Sequence, residues 1–436
     1  MAKHPTRKRG APAWLAFLLS WALAGTAHAG ADGGTLDPSF GEDGRVTTNF
    51  GPGFDDANGV GIQPDGAIVA AGQAEGAFGL VRYLPDGSLD PAFGDGGKVS
   101  TEFTSQADWA NDMALQPDGG IVVAGTAGFN RFAVARYLPD GTLDPTFSGD
   151  GKVMTDFTLG LREESAEAVA IQPDGRIVAA GFSYKNRFRF AVARYLPDGT
   201  LDPTFSGDGR AVATFTAGDL GQAVAVQPNG KIVVGGMGTG GRTALARYLP
   251  DGTLDPAFSG DGKLTTTFGP GIASANDLAI QPDGMIVAAG EAGSPYFVIS
   301  RTAASFSAGG GRVAVARYRP NGKLDASFSG DGKLTTNLTP KGDTARGVLI
   351  QPNGKIVAAG AAALGEGEFD SKFGVVRYRP DGKLDRGFGG DGKVITNFSP
   401  TYDAGTDVAR QADGRLVVSG LAAGNGRRFA LARYLP

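Results

Sequence analysis

The residues available for chemistry are few, and their types narrow the choice. Both histidines, His4 and His28, lie within the first 29 of 436 residues, and there is no cysteine. Beyond that leader no Ser-His-Asp or Cys-His nucleophile, no redox CxxC and no zinc or haem site of Cys and His can be assembled. Carboxylates, Lys, Arg, Tyr, Ser and Thr remain. Two carboxylates alone can hydrolyse a glycosidic bond, so acids at regular spacing draw attention. Eight residues before a recurring glutamine stand Asp55, Asp108, Glu164, Asp219, Asp343 and Asp403, with Ala273 at the one exceptional place. Gathered in a ring, such acids would repel unless neutralised, which points to a cation or cationic ligand. The local alternative is an aspartate accepting backbone N–H groups at a turn. Trp109 lies beside Asp108. Tyr184, Tyr296 and Phe297 fall in matching loops of two other units, expected on the same face, and together with Trp109 and the acids they form the candidate ligand-contact set. No catalytic residue stands out.

The leader is readable by itself. Lys3, Arg7, Lys8 and Arg9 precede the apolar run APAWLAFLLSWALAG (residues 11–25), and Ala27 and Ala29 supply the small residues at −3 and −1 of a cleavage point after Ala29. This is the three-part pattern of a secretory signal, and the run is short for a bilayer span. We therefore expect residues 1–29 to be a signal peptide, residues 30–35 a short linker, and the protein to be secreted or periplasmic. Removing the leader leaves 37 Lys+Arg against 45 Asp+Glu, a net charge of −8 with both signs interspersed. No cationic cluster suits a nucleic-acid backbone. No later stretch suits a transmembrane span, and a monomer is expected.

The elements that would position these residues come from repeats. Gln-Pro-Asp/Asn-Gly starts at residues 63, 116, 172, 227, 281 and 351, with a seventh copy at 411 that has Ala412 for proline. Leu-Asp-Pro-x-Phe begins at Leu36, Leu89, Leu143, Leu201 and Leu254, with degenerate forms at Leu324 and Leu384. An Arg-Tyr pair closes each unit at Arg82, Arg136, Arg194, Arg247, Arg317, Arg377 and Arg433. The glutamines lie 53 to 70 residues apart, the spacing of a propeller or solenoid unit. In the second unit, residues 110–115, 121–125, 131–138 and 152–157 read as strands separated by glycine-rich turns. No segment keeps a helical period free of Gly or Pro for ten residues.

Seven such units predict an all-β, seven-bladed β-propeller of four-stranded antiparallel blades over residues 36–436. The mature chain opens with a lone outer-type strand at Arg45–Phe50 and ends after three strands of its last unit. Pairing these remnants would complete one blade and close the ring. Each Arg of Arg-Tyr sits in an apolar strand and needs a partner. The Asp of Leu-Asp-Pro or of a nearby Asp-Gly, for instance Asp144 or Asp150 for Arg136, would make it a structural staple. The connector DPxFxxDG offers two acids and carbonyls, so calcium is a candidate ligand there; no other cofactor is expected. Units five and six carry extra residues between second and third strands, including Ser294–Phe297, Arg301, Phe306 and Glu366–Asp370.

The strings QPDGRIVAAG (172–181) and FAVARYLPDGTLDPTF (190–205) resemble the bacterial delta-60 repeat family over residues 36–436. They also resemble, as longer relatives, NHL-type blades. The resemblance implies a β-propeller, with no defined common function, and NHL-type blades chiefly bind proteins or other polymers. The expected function is a non-enzymatic binding or scaffold module for protein, glycan or envelope ligands, working through the second-to-third strand loops. The alternatives are a carboxylate-based polysaccharide-degrading enzyme and a purely structural envelope protein.

Overall fold

Turn chemistry starts each blade. In Gln116-Pro117-Asp118-Gly119, the Gly119 N–H donates to the Gln116 carbonyl at 2.9 Å, and the Asp118 carboxylate accepts the Gly120 N–H at 3.0 Å. Gly119 sits at φ +88°, open to glycine at little cost. Apolar β-branched runs on either side then pair as strands.

The computed structural model describes residues 33–436, apart from residues 129, 159–162, 216–217, 296–310, 366–369 and 425. Residues 32–436 form one compact unit. Strand β1 (Arg45–Thr48) stands alone at the start. The first blade is β2 (Asp55–Ile62), β3 (Ile68–Ala74), β4 (Ala77–Tyr83) and β5 (Lys98–Thr101). The same order repeats through β6–β9 (109–155), β10–β13 (164–213), β14–β17 (220–266), β18–β21 (272–336) and β22–β25 (343–396). The chain ends with β26 (Tyr402–Arg410), β27 (Leu416–Gly424) and β28 (Gly426–Tyr434). Seven four-stranded antiparallel sheets result, and the last has the order β1-β28-β27-β26. The orphan first strand therefore fills the vacancy of the last blade, with Arg45 opposite Ala432 and Thr48 opposite Phe429. The residues before Leu36 join the seam too: Gly34 N–H donates to Leu435 O and Leu435 N–H to Thr35 O, both at 2.9 Å. Among the described residues no helix is long and apolar enough to cross a membrane.

The core lies between blades. Val178, Ala180 and Val192 of the third blade pack on Val224, Ile232 and Val234 of the fourth, and equivalent clusters recur around the ring. Small residues let the sheets approach closely. A Cβ on Gly125 would lie 1.9 Å from the Trp109 carbonyl, so glycine is required where the second strand crosses the inner strand's bulge. Alternating strand direction puts the starts of the inner strands and the second-to-third loops on one face, here the loop face. The Gln-Pro turns and Leu-Asp-Pro connectors occupy the opposite, connector face.

Candidate functional site

The repeated polar residues hold the ring together. Each Arg-Tyr arginine pairs with the aspartate of Leu-Asp-Pro, not with the later Asp-Gly: Arg136 Nε donates to Asp144 at 2.8 Å, Arg194 to Asp202 at 2.8 Å and Arg433 to Asp37 at 2.8 Å. The other four pairs are Arg82–Asp90, Arg247–Asp255, Arg317–Asp325 and Arg377–Asp385. The guanidinium also stacks on the connector phenylalanine, with Arg136 5.0 Å from the Phe147 ring centre. It reaches the next blade as well, as Arg194 donates to the Pro250 carbonyl at 2.6 Å. Asp150 instead accepts the Lys152 N–H. Calcium in the connector would therefore have to compete with a guanidinium for its first carboxylate. Among the described residues no group of three or more acids is placed to hold a metal ion.

The acids eight residues before each glutamine are buried at the starts of the inner strands, and they bind the preceding turn. Asp55 accepts Phe50 N–H at 2.8 Å, Asp108 accepts Phe103 N–H at 2.8 Å and Glu164 accepts Phe157 N–H at 2.9 Å. Asp219 accepts Phe215 N–H at 2.8 Å, Asp343 accepts Leu338 N–H at 2.7 Å and Asp403 accepts Phe398 N–H at 2.9 Å. Burial raises the pKa of Asp55, Glu164 and Asp343, and the donated N–H groups oppose it. These N–H bonds are those of an Asx-type turn, and the Thr104, Thr158, Thr339 and Ser399 hydroxyls donate to Asp108, Glu164, Asp343 and Asp403 as well.

A different set of acids lines the channel, four residues before the glutamine and just past the bulge. Asp112, Asp277 and Asp407 occupy this place in the second, fifth and seventh blades; the other four blades have Gly or Ala there. Each reaches across a blade boundary: Asp112 accepts Val169 N–H at 2.8 Å, Asp277 accepts Val348 N–H at 2.6 Å and Asp407 accepts Val60 N–H at 2.9 Å. One residue earlier, Asn58, Asn111 and Asn276 donate to Ala110, Ala166 and Ala345 carbonyls of the following blade, and Thr406 donates to Ala57. Desolvation pushes Asp112 up to about 8, helped by the charge of Asp407, and pushes Asp407 itself up to about 6. Asp277 is raised well above the usual range by the same desolvation and by Asp407. Sequence reading passed over this trio because it followed what repeats. The signal was the opposite: an acid at a position that four blades fill with Gly or Ala.

The aromatic candidates divide. Trp109 opens β6 half-buried, paired across the sheet with Thr126. Tyr184 is half-buried at the loop end of β11 (Ile177–Tyr184), edge-on to Phe188 at 5.1 Å. Tyr296 and Phe297 lie outside the described residues, as do Arg301, Phe306 and residues 366–369. The structure adds Phe54, 62% exposed on the loop face with Arg427 5.0 Å above its ring, and Leu364, 47% exposed. Beneath Phe54 the Asp56 carboxylate is fully buried. The Arg427 guanidinium lies 3.6 Å from it, and burial raises the Asp56 pKa to about 6.

No curated protein matches the chain. Solved structures match in fold. A streptogramin B lyase is similar at 10% identity and TM-score 0.51, over 89% of this chain and 97% of that one. A catalytically inactive virginiamycin B lyase from Staphylococcus aureus, with quinupristin, is similar at 8% identity and TM-score 0.51, over 89% and 98%. YCF48 bound to a peptide aligns at 11% identity and TM-score 0.47, over 93% and 98%. At this identity the likeness to the two lyases is one of fold alone. A family model, a domain of unknown function (DUF5122) beta-propeller, matches residues 63–93, 116–147, 172–205, 227–258, 281–328, 351–388 and 411–436. These segments span the seven glutamine turns and all but the last run on to the connector phenylalanine, covering more than half of the sequence, and the chain belongs to this β-propeller family.

Proposed function

We propose that the protein is an exported propeller of the delta-60 type that binds a protein, glycan or cell-envelope ligand on its loop face. One observation carries this reading: repeated polar groups are consumed inside the ring, whereas exposed side chains the repeat does not need, Phe54 and Leu364, sit on the loop face, as does the half-buried Tyr184. Binding residues favour loops on a rigid scaffold. The test is a glycan array together with an envelope-extract pull-down, comparing wild type with the triple variant Phe54→Ser, Tyr184→Ser, Leu364→Ser. Binding should fall at least about tenfold, the loss of ~1.4 kcal/mol. Equal binding by both proteins removes the loop face from the argument.

A second reading, carboxylate chemistry on a polysaccharide, is favoured by the channel trio. Burial raises both carboxyls, and the charge of Asp407 raises Asp112 further, so that Asp112 holds its proton to higher pH than Asp407. Carboxyl groups pushed apart in this way can serve as general acid and general base. A panel of neutral and acidic polysaccharides incubated with wild type and Asp112→Asn tests it. Turnover that falls about 100-fold or more in the variant supports it; no turnover, or none lost, removes it.

A further inference from the structure

The connector face breaks the repeat in two adjacent blades. At the residue before the Pro-Asp/Asn-Gly turn that leaves the third strand, the first four blades carry leucine (residues 84, 138, 196 and 249), and two residues past the Asp or Asn they carry Ser or Thr. The fifth and sixth blades replace this pair with Arg319 and Lys323, and with Arg379 and Lys383. The hydroxyl of the early blades has a folding role: Thr142 Oγ1 donates to Asp140 at 2.7 Å and Thr200 to Asp198 at 2.6 Å. The substituted cations have little. The side chains of Arg319, Arg379 and Lys383 are 51%, 48% and 73% exposed, and their ion pairs with Asp325 and Asp381 are long, 3.4–3.6 Å. Such pairs contribute little stability.

These cations are contiguous. Ser329 N–H of the fifth-blade connector donates to the Asp381 carbonyl of the sixth-blade turn at 3.0 Å. The sixth connector adds Arg386 where the repeat has proline, and with Arg379 and Lys383 it walls a depression of about 630 Å³. Asp385 in the wall is already neutralised by Arg377 at 2.7 Å and Lys355 at 2.8 Å, leaving Asp391 as the opposing charge there. The cluster stands out on a chain of net charge −4.

We propose that this strip of the fifth and sixth blades is a binding surface for an acidic polysaccharide, separate from the loop face. Two Arg/Lys pairs at successive blades present cations at a repeating interval, which suits a chain whose carboxylates or sulfates also repeat. Guanidinium forks match such oxyanions bidentately. The large exposed apolar residues among those described are Phe54, Leu138, Met154, Val212, Leu364 and Ile395, and none lines the depression. Bilayer insertion and protein interfaces both rely on an apolar centre, and single-stranded nucleic acid relies on aromatic stacking platforms. The lining has no aromatic side chain and a single large apolar one, Leu384, among charged residues, which favours a hydrophilic polyanion.

The test uses the full chain on immobilised polygalacturonate and dextran sulfate, with neutral dextran as reference, at low and high salt. The comparison is the quadruple variant Arg319→Leu, Lys323→Thr, Arg379→Leu, Lys383→Thr, which installs residues the first four blades already use and should melt like wild type. Wild type should bind both polyanions, lose affinity as salt rises and bind at least about tenfold more tightly than the variant. Equal binding by the variant overturns the proposal. So does binding to neutral dextran as strong as to the polyanions, or a preference for phosphatidylglycerol vesicles or single-stranded DNA.

Discussion

Tyr248 has no acceptor for its buried hydroxyl, and the reason is one residue in the neighbouring blade. In five other blades this tyrosine bonds a threonine on the preceding outer strand, as Tyr195 with Thr155 at 2.7 Å and Tyr318 with Thr266 at 2.8 Å. The equivalent place beside Tyr248 is Ala213. Ala213→Thr should raise stability by about 1 kcal/mol, Tyr195→Phe should lower it by about as much, and Tyr248→Phe should change it little. Denaturant midpoints decide, and an Ala213→Thr variant that unfolds with wild type refutes the assignment. Charge acts at the same scale. Asp112 and Asp407 have pKa values raised in the fold, so the stability they confer is present below the ordinary aspartate value near 4. It is lost as pH rises through about 6 and then about 8. The staple aspartates, such as Asp144 and Asp202, are lowered despite the opposing desolvation, through bonds from Thr146 and Thr204 and from their arginines. Their contribution is lost only as pH falls below the ordinary value. Melting temperature should therefore peak in mild acid, and Asp112→Asn should flatten the fall toward pH 8. A wild-type optimum above pH 8 contradicts this.

A blade is held by its connector as much as by its strands. Arg136 links its own strand to Asp144, stacks on Phe147 and reaches the Pro197 carbonyl of the next blade. Truncation to alanine leaves Asp144 nearly buried with its cation gone, at a cost of about 3 kcal/mol or more. Asp150→Ala, removing the alternative acid, should cost close to nothing. Equal losses for the two variants would show that the staple runs through the wrong residue. The outer edges are guarded in the same economical way: Lys98 and Lys152 open their short outer strands and donate to carbonyls of the preceding blade, Asn49 and Glu102. Charge at an exposed strand edge discourages pairing with another chain.

Closure is a property of the whole molecule. Arg433 and Arg415 both meet Asp37, and β1 supplies the outer strand of the last blade. Deleting residues 33–50 removes that strand and leaves β28 as a bare edge, so the truncated protein should melt well below wild type and elute as larger species. An unchanged melt and elution volume would mean that the seam carries no load.

Blade number, strand order and the closing strand were all legible in the chain, because turns and apolar alternation are local and each unit restates them. The arginine staple was half legible: burial demands a partner, but only the packed connector decides between Asp144 and Asp150. The loop-face acids could be read two ways until the turns beside them supplied N–H donors. The channel trio and the cationic strip could not be weighed from sequence, since their meaning depends on what ring closure sets beside them. Asp407 bonds Val60, 347 residues away along the chain. Desolvation of a carboxylate, and the company its charge keeps, are set by neighbours in space, which local sequence does not record.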